Sequence, residues 1–355
     1  MQLAEFRQSL QALGAKPAHV DRILRAWLQA KPLDAGTRRQ ASENFLPLAV
    51  REALPELTAN LEQLARVITE HPGEDGARLL VALADGQTVE SVLLPRGGVC
   101  ISSQIGCAVG CTFCMTGKQG LLRQVSSAEM IAQVVLARQR QAIRRVVFMG
   151  MGEPSHNLDH VLEAIDLLGT AGGIGHKNLV FSTVGDLRVF ERLPQQRVIP
   201  ALAISLHSTD AGLRRHLLPN AADITPDTLV ELAEIYARRT GYPIQYQWTL
   251  IEGVNDSEAE MDGIVRLLTG KYALINLIPY NATASLDYRR PSVAALTAMA
   301  RHLHDRGIRT TVRNSVGQDV DGGCGQLRAR HLDGSVAPPR QRRGVLVQCV
   351  GEPNS

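Results

Sequence analysis

Aromatic side chains are scarce. Only 4% of the 355 residues are Phe, Trp or Tyr, so a buried core must be assembled mainly from aliphatic groups. Hydrophobic residues still make up 45% of the chain, enough for one large domain or two smaller ones. No apolar run is long enough to span a bilayer, and the start, Met1-Gln-Leu-Ala-Glu-Phe-Arg-Gln8, lacks the apolar centre of a signal peptide. A large excess of one charge is missing too: 38 basic against 35 acidic residues leave +3, which by itself says little about nucleic acid. Nor are the six cysteines scattered in pairs, as a disulfide framework requires; four of them lie within Cys100–Cys114. These absences favour a reducing, cytoplasmic setting with no membrane partner, and a monomer is expected.

What is present centres on Cys107-Ala-Val-Gly-Cys111-Thr-Phe-Cys114. Three thiolates at gaps of four and three residues can turn toward one point, so the run reads as a metal-cluster loop. A cubane iron–sulfur cluster closed by protein takes four thiolates. Three would leave one iron open, and an open position is what lets a metal do chemistry. The bland alternative is a structural zinc loop, but zinc needs a fourth ligand close by, and the first downstream histidine is His156.

Around this loop the hydrophobic period changes twice. Residues 1–64 read as a small helical domain with Val20, Ile23, Leu24, Trp27 and Leu28 on one face and further short helices broken by Pro47 and Pro55. Its Arg22, Arg25, Arg38 and Arg39 are either a binding surface or an ordinary solvated face. Residues 65–97 alternate like an antiparallel meander, with turn signals at Pro72-Gly73 and Asp85-Gly86. Residues 98–335 alternate apolar strands (Val99–Ser103, Arg145–Met149, Leu179–Ser182, Ala201–Ser205, Ile244–Leu250, Ala273–Leu277, Arg309–Val312) with amphipathic helices. The expected fold is therefore α/β, a partial barrel of parallel strands whose functional residues sit at the C-terminal strand ends. Residues 336–355 read as a tail, with Cys349 in an apolar run as a packed small hydrophobe.

Cys-x-x-x-Cys-x-x-Cys with an aromatic before the last cysteine resembles the signature of radical S-adenosylmethionine (SAM) enzymes. The surrounding motifs, over residues 88–328, are similar to the RlmN/Cfr family of RNA adenine methyltransferases. The resemblance implies a partial (β/α)6-type barrel, a 4Fe–4S cluster on Cys107, Cys111 and Cys114, and SAM as methyl source and oxidant. Gly152 and Glu153 of Gly150-Met-Gly-Glu-Pro154, then Ser182, Ser205-Leu206-His207 and Asn281, fall where the family contacts SAM. On residue type alone His207 is equally a satisfied histidine at a strand end.

Two further cysteines match the family. Cys324, in Gly322-Gly-Cys-Gly325, corresponds to the acceptor of a methyl group from one SAM, and Cys100 to the thiol that later resolves a covalent RNA adduct. The resemblance implies this route because an amidine carbon of adenine is no nucleophile for direct displacement. The S-methyl group of Cys324 is activated to a radical with a second SAM and adds to the ring. Release leaves a Cys100–Cys324 disulfide. Glu90 occupies the place of the proposed proton acceptor. Carbon 2 is the expected target and carbon 8 its rival, on ribosomal or transfer RNA, with an electron donor such as flavodoxin as partner. Lys118, Arg123, Arg214, Arg215, Arg289, Arg290, Arg313, Arg328 and Arg330 would line a basic rim for phosphates. Departures such as Met115-Thr-Gly-Lys118 leave the RNA target open. A radical SAM enzyme acting on a small molecule and a zinc-braced RNA-binding protein remain as rivals.

Overall fold

The computed structural model describes residues 2–35, 45–282, 286–313, 325–332 and 334. Helices α1 (Leu3–Ala12), α2 (Pro17–Leu28) and α3 (Leu48–Glu62) open the chain. The stripe expected on α2 is the buried one: Val20, Ile23, Leu24, Trp27 and Leu28 are all in the core. Pro17 sits at the first helical position, where its missing N–H is no loss. Pro47 caps α3, but Pro55 does not end it; the helix runs through, giving up one backbone hydrogen bond in exchange for burying Val50, Leu57 and Leu61.

Strands β1 (Ala65–Gly73), β2 (Gly76–Leu83) and β3 (Thr88–Leu94) form the expected meander. The meander is continuous with the barrel, because β3 pairs antiparallel with β4 (Gly98–Cys100) in the register Val92↔Cys100. A hairpin absent from the sequence reading follows: β5 (Gln104–Gly106) and β6 (Leu121–Gln124) pair on their own and bracket the cysteine loop. Next come α4 (Ser127–Arg138), β7 (Arg145–Phe148), α5 (Leu158–Gly169), β8 (Leu179–Thr183), α6 (Leu187–Arg192), β9 (Ala201–Ser205), α7 (Ala211–Leu217), α8 (Pro226–Thr240), β10 (Ile244–Leu250), α9 (Glu258–Leu268), β11 (Ala273–Pro279), α10 (Val293–Asp305), β12 (Thr310–Val312) and α11 (Gln326–Leu332).

The large sheet has the order β1-β2-β3-β4-β7-β8-β9-β10-β11-β12, parallel from β4 onward. Alternation along each strand sorts its side chains between two faces. Val146, Phe148, Leu179, Phe181, Leu202, Ile204, Tyr246, Trp248, Ile275 and Leu277 join the main core. The opposite face carries small and functional groups: Cys100 with Val147, Val180, Ala201 and Ala203. Few aromatics are needed because β-branched and leucine side chains fill the space between sheet and helices.

Candidate active site

The cysteine loop is pinned at several points. Cys107 N donates to Gly120 O across the hairpin (2.9 Å), Thr112 N to Leu217 O (3.1 Å), and Asn220 donates its backbone N to Val109 O (3.2 Å) and Nδ2 to Ala108 O (2.9 Å). Cys107 packs in a small apolar cluster with Val109, Val184, Leu217, Leu218, Ile251 and Tyr280. The four described cysteines are free thiols. Burial pushes Cys107 up to about 12. Burial also holds Cys111 well above the usual thiol range, and Cys114 and Cys107 add to it by like-charge repulsion. Among the described residues no trio of His, Cys, Asp or Glu converges at metal-ligand spacing. The donor chemistry nevertheless fits a 4Fe–4S cluster: the thiols feel one another's charge, and bound iron would lower the pKa values that burial raises.

Three strand ends face this loop. After β7 the chain turns through Gly152, at φ +103°, where an added Cβ would meet Gln104 Cβ at 2.5 Å; only glycine passes here. Glu153 follows, buried. Its Oε1 accepts from Ser155 N (3.0 Å), its Oε2 from Val184 N (3.0 Å), and its N donates to Gln104 Oε1 (2.7 Å). Each carboxylate oxygen keeps a lone pair for an ammonium group. Ser182 is buried at the end of β8, and Ser205 lies half-buried at the end of β9. The Leu206 side chain turns into the core, so only its backbone is available to a ligand.

His207 has φ +61°. Its Nδ1 accepts from Thr249 N (2.9 Å), its carbonyl accepts from Asn255 Nδ2 (2.7 Å), and its ring meets Phe113 edge-on at 4.9 Å. Burial, followed by nearby Arg214, lowers its pKa to about 3, so the imidazole is neutral. The satisfied-histidine alternative holds for Nδ1; Nε2 has no partner among the described residues. Asn281 is half-buried beyond β11 and takes Arg290 Nη1 on its Oδ1 (3.4 Å).

Sequence reasoning missed the residues that hold this geometry. Asn255 is fully buried and serves His207 O, Thr249 O and Ile251 N together. Glu260 clamps the loop after β9, accepting from Ser208 Oγ, Thr209 N (2.7 Å) and Thr209 Oγ1 (2.5 Å). Neither stands in a recognisable motif; each becomes visible only when distant loops meet.

On the other flank, Cys100 and Glu90 share a face. Cys100 pairs with Val92, and Glu90 lies two residues from Val92 on the same strand. Burial pushes Cys100 up to about 12; Arg78 pulls it down and Glu90 pushes it up. Glu90 is not a surface carboxylate, being 2% exposed, and it accepts from Arg78 Nη1 (3.3 Å) and Arg328 N (2.9 Å). Cys324 lies outside the described residues. Its sequence neighbour Gly325, at φ +81°, abuts Thr116, and a Cβ there would sit 2.5 Å from Thr116 Oγ1.

A model of the radical SAM superfamily matches residues 101–262. A probable RNA methyltransferase of Dechloromonas aromatica is 74% identical over 343 residues, spanning 96% of each chain. The chain belongs to the radical SAM RNA methyltransferase family. A probable RNA methyltransferase of Pseudomonas aeruginosa is 66% identical, covering 96% of this chain and 100% of its own. The crystal structure of a radical SAM methyltransferase from Sphaerobacter thermophilus superposes with TM-score 0.80 at 32% identity, over 93% of this chain and 98% of that one.

Within this radical SAM fold the expected basic rim is mostly internal or paired. Arg214 is buried, joining the ends of β8 and β9 through Val184 O and Ser205 O (3.4 Å), and burial lowers it to about 10. Arg328 is 5% exposed. Arg123 bridges Asp85 (2.7 Å) and Glu129 (2.9 Å), Arg215 pairs with Asp223 (2.7 Å), and Arg289 with Glu252 (3.4 Å). In the helical domain, Arg22 stacks over Phe45 at 3.3 Å, while Arg25 is exposed; Arg38 and Arg39 lie outside the described residues. No helix is long and apolar enough to cross a membrane among the described residues.

Proposed function

We propose that this chain methylates a ring carbon of an adenine in RNA, carbon 2 in preference to carbon 8, through a methyl group carried on Cys324. The observation that carries the reading is the placement of Cys100. This thiol falls outside the three-cysteine loop, yet it is free, half-buried on the inner face beside Glu90, and set on the strand that leads into the cysteine loop. The relatives' printed names supply the RNA substrate.

Cys107, Cys111 and Cys114 would hold the cluster, with Glu153, Ser182, Ser205, His207, Asn281 and the Leu206 backbone around SAM. Bound together, cluster and SAM supply the electron, the methyl carbon and the hydrogen-abstracting power that no side chain has. The protein's own part is positional. Glu153 presents its spare lone pairs to the SAM ammonium. The buried Arg214 cation balances negative charge at the loop. The walls around Cys107 exclude water from radical chemistry. Glu90 accepts the ring proton, and its Arg78 partner orients the carboxylate for it. Once the odd electron of the ring adduct has been given up to the cluster that the loop would hold, the Cys100 thiolate attacks the Cys324 sulfur; the carbon–sulfur bond breaks with its electron pair on the product carbon, which takes up a proton to become the methyl group, and the disulfide that forms must be reduced by external thiol or the electron donor.

Mass spectrometry of RNA from a strain lacking this gene tests the assignment, and one adenosine should lose a ring-methyl group. The same spectrum separates 2-methyl from 8-methyl. If no RNA adenosine changes, and a small molecule accumulates instead, the RNA reading is wrong. Anaerobic purification addresses the zinc alternative: a colourless protein holding zinc would remove the radical chemistry altogether.

A further inference from the structure

One buried amide reaches three parts of the site at once. Gln133 lies on α4, on the helix-packed side of the sheet, with no exposure to solvent. Met130, Ile131, Val134 and Ala137 around it all join the apolar core. Carrying an amide into such a layer costs about 2 kcal/mol or more unless its hydrogen bonds are remade. A methionine of the same length would fill the space without that cost, so the amide is there for what it bonds.

Every capacity of the group is used. Oε1 accepts from Ser91 Oγ (2.9 Å) and from Ser102 N (2.9 Å), while Nε2 donates to Ser102 O (3.0 Å) and to Glu129 O one turn back (3.4 Å). Ser102 carries the connection onward: its Oγ donates to Glu90 O (2.6 Å) and accepts from Met151 N (2.9 Å). Ser91 and Ser102 are as fully buried as Gln133, so no water competes for these bonds.

What the network holds is the backbone of three functional segments. Ser91 follows Glu90 on β3, with its side chain on the opposite face of the sheet. Ser102 stands two residues after Cys100, and Met151 two before Glu153. Ile101 N donates to Val147 O (3.0 Å), Gly150 N to Ile101 O (3.0 Å) and Ser103 N to Met151 O (2.9 Å). The packing is as close as backbone permits: a Cβ at Gly150 would meet Ile101 O at 2.6 Å and Ser102 Oγ at 2.7 Å. Gln133 therefore joins, from behind the sheet, the strand of the candidate proton acceptor, the exit of the resolving thiol's strand and the turn that presents Glu153.

We propose that Gln133 is a positioning residue: through Ser91 and Ser102 it sets where Glu90 and Cys100 stand relative to the Gly-Met-Gly-Glu-Pro turn, and so governs release of the RNA adduct. The proposal rests on the RNA-methylating reading above. Methyl transfer from SAM to Cys324 uses neither Glu90 nor Cys100, whereas adduct release uses both. Loss of the amide slows the second step far more than the first, since a misplacement of about 1 Å costs about 100-fold in rate.

The experiment compares the cluster-reconstituted protein with Gln133→Met, which keeps the length and bulk of the side chain, and with Ser102→Ala, which removes only the hydroxyl between Glu90 O and Met151 N. With saturating SAM, dithionite and total RNA from a strain lacking this gene, two rates are read: S-methylation of Cys324 by peptide mass spectrometry, and decay of the nuclease-sensitive covalent adduct. Adduct decay should slow by about 100-fold in Gln133→Met, and to a lesser degree in Ser102→Ala, with S-methylation retained. A merely structural role lowers both rates in the same proportion; that result, or adduct decay at the unsubstituted rate, overturns the proposal. A third readout needs no RNA. Iodoacetamide should label Cys100 about tenfold faster in Gln133→Met, because the strand exit opens more readily, with circular dichroism unchanged; unchanged labelling also overturns the proposal. If Gln133→Met does not fold, Ser102→Ala carries the same three comparisons. Should the unsubstituted protein form no RNA adduct while labelling still rises in the variant, the positioning stands and the RNA reading falls.

Discussion

Asn255 offers the sharpest test of how the fold sets the site. Its Nδ2 donates to His207 O (2.7 Å) and Thr249 O (2.8 Å), and its Oδ1 accepts from Ile251 N (2.8 Å); the first and last are buried and the Thr249 bond is partly so. Asn255→Ala orphans those three backbone groups. At about 2 kcal/mol each the loss is roughly 6 kcal/mol. Against this stands His207 at φ +61°, whose release from the left-handed region returns about 2 kcal/mol. The net expectation is a loss of about 4 kcal/mol, read as a lower urea midpoint in an anaerobic circular dichroism titration. Because the same bonds hold His207 beside Phe113, SAM affinity should fall by about tenfold, or about 1.4 kcal/mol, by calorimetry. Asn255→Asp keeps the acceptor for Ile251 N but turns oxygen toward two carbonyls, so it too should lose stability despite its matching shape. A change below about 1 kcal/mol in both variants, with SAM affinity intact, would refute the idea that Asn255 is what pins the loop.

Cys100→Ala should trap RNA covalently on the purified protein, visible as a nuclease-sensitive band shift; free RNA and unmodified protein would remove Cys100 from the reaction. Since burial raises the Cys100 thiol to about 12, its thiolate fraction, and with it the rate of adduct resolution, should climb about tenfold per pH unit between pH 7 and 9, measured by quenched-flow after rapid pH change. A flat profile would mean another group performs the release. Replacing any one of Cys107, Cys111 or Cys114 by Ala should cost the visible absorbance of the cluster, whereas Cys100→Ala should not. Gly152→Ala puts a Cβ into Gln104 at a backbone angle that L-residues avoid, so SAM binding should be lost with the secondary structure retained, by calorimetry and circular dichroism.

Much of the architecture was legible in residue order. The strands from Arg145 to Val312 follow from continuous apolar runs, buried on both faces, and the longer helices between them from a 3.6-residue period, whereas the short α6 and α7 were not foreseen. At the start of α4 the structure closes a capping box between Ser126 and Glu129, a local signal that the sequence reading did not use. The short β5–β6 hairpin escaped notice because Gln104–Gly106 and Leu121–Gln124 are too brief to show a period. Pro55 was read as a break because local propensity cannot weigh the apolar face that α3 buries on both sides of it.

The chemical inventory belonged to the sequence: three cysteines at fixed gaps, a Gly-Glu-Pro turn and two unaligned thiols are local statements about which atoms are present. Their environment did not. Whether Arg328 and Arg214 face solvent or line the interior, whether Glu90 is buried against Cys100, and what holds His207 in place depend on segments up to 240 residues apart meeting across one sheet. Pattern along a chain encodes which face a side chain takes; only the folded contacts fix its dielectric surroundings and partners, and those decide what a charged or nucleophilic group can do.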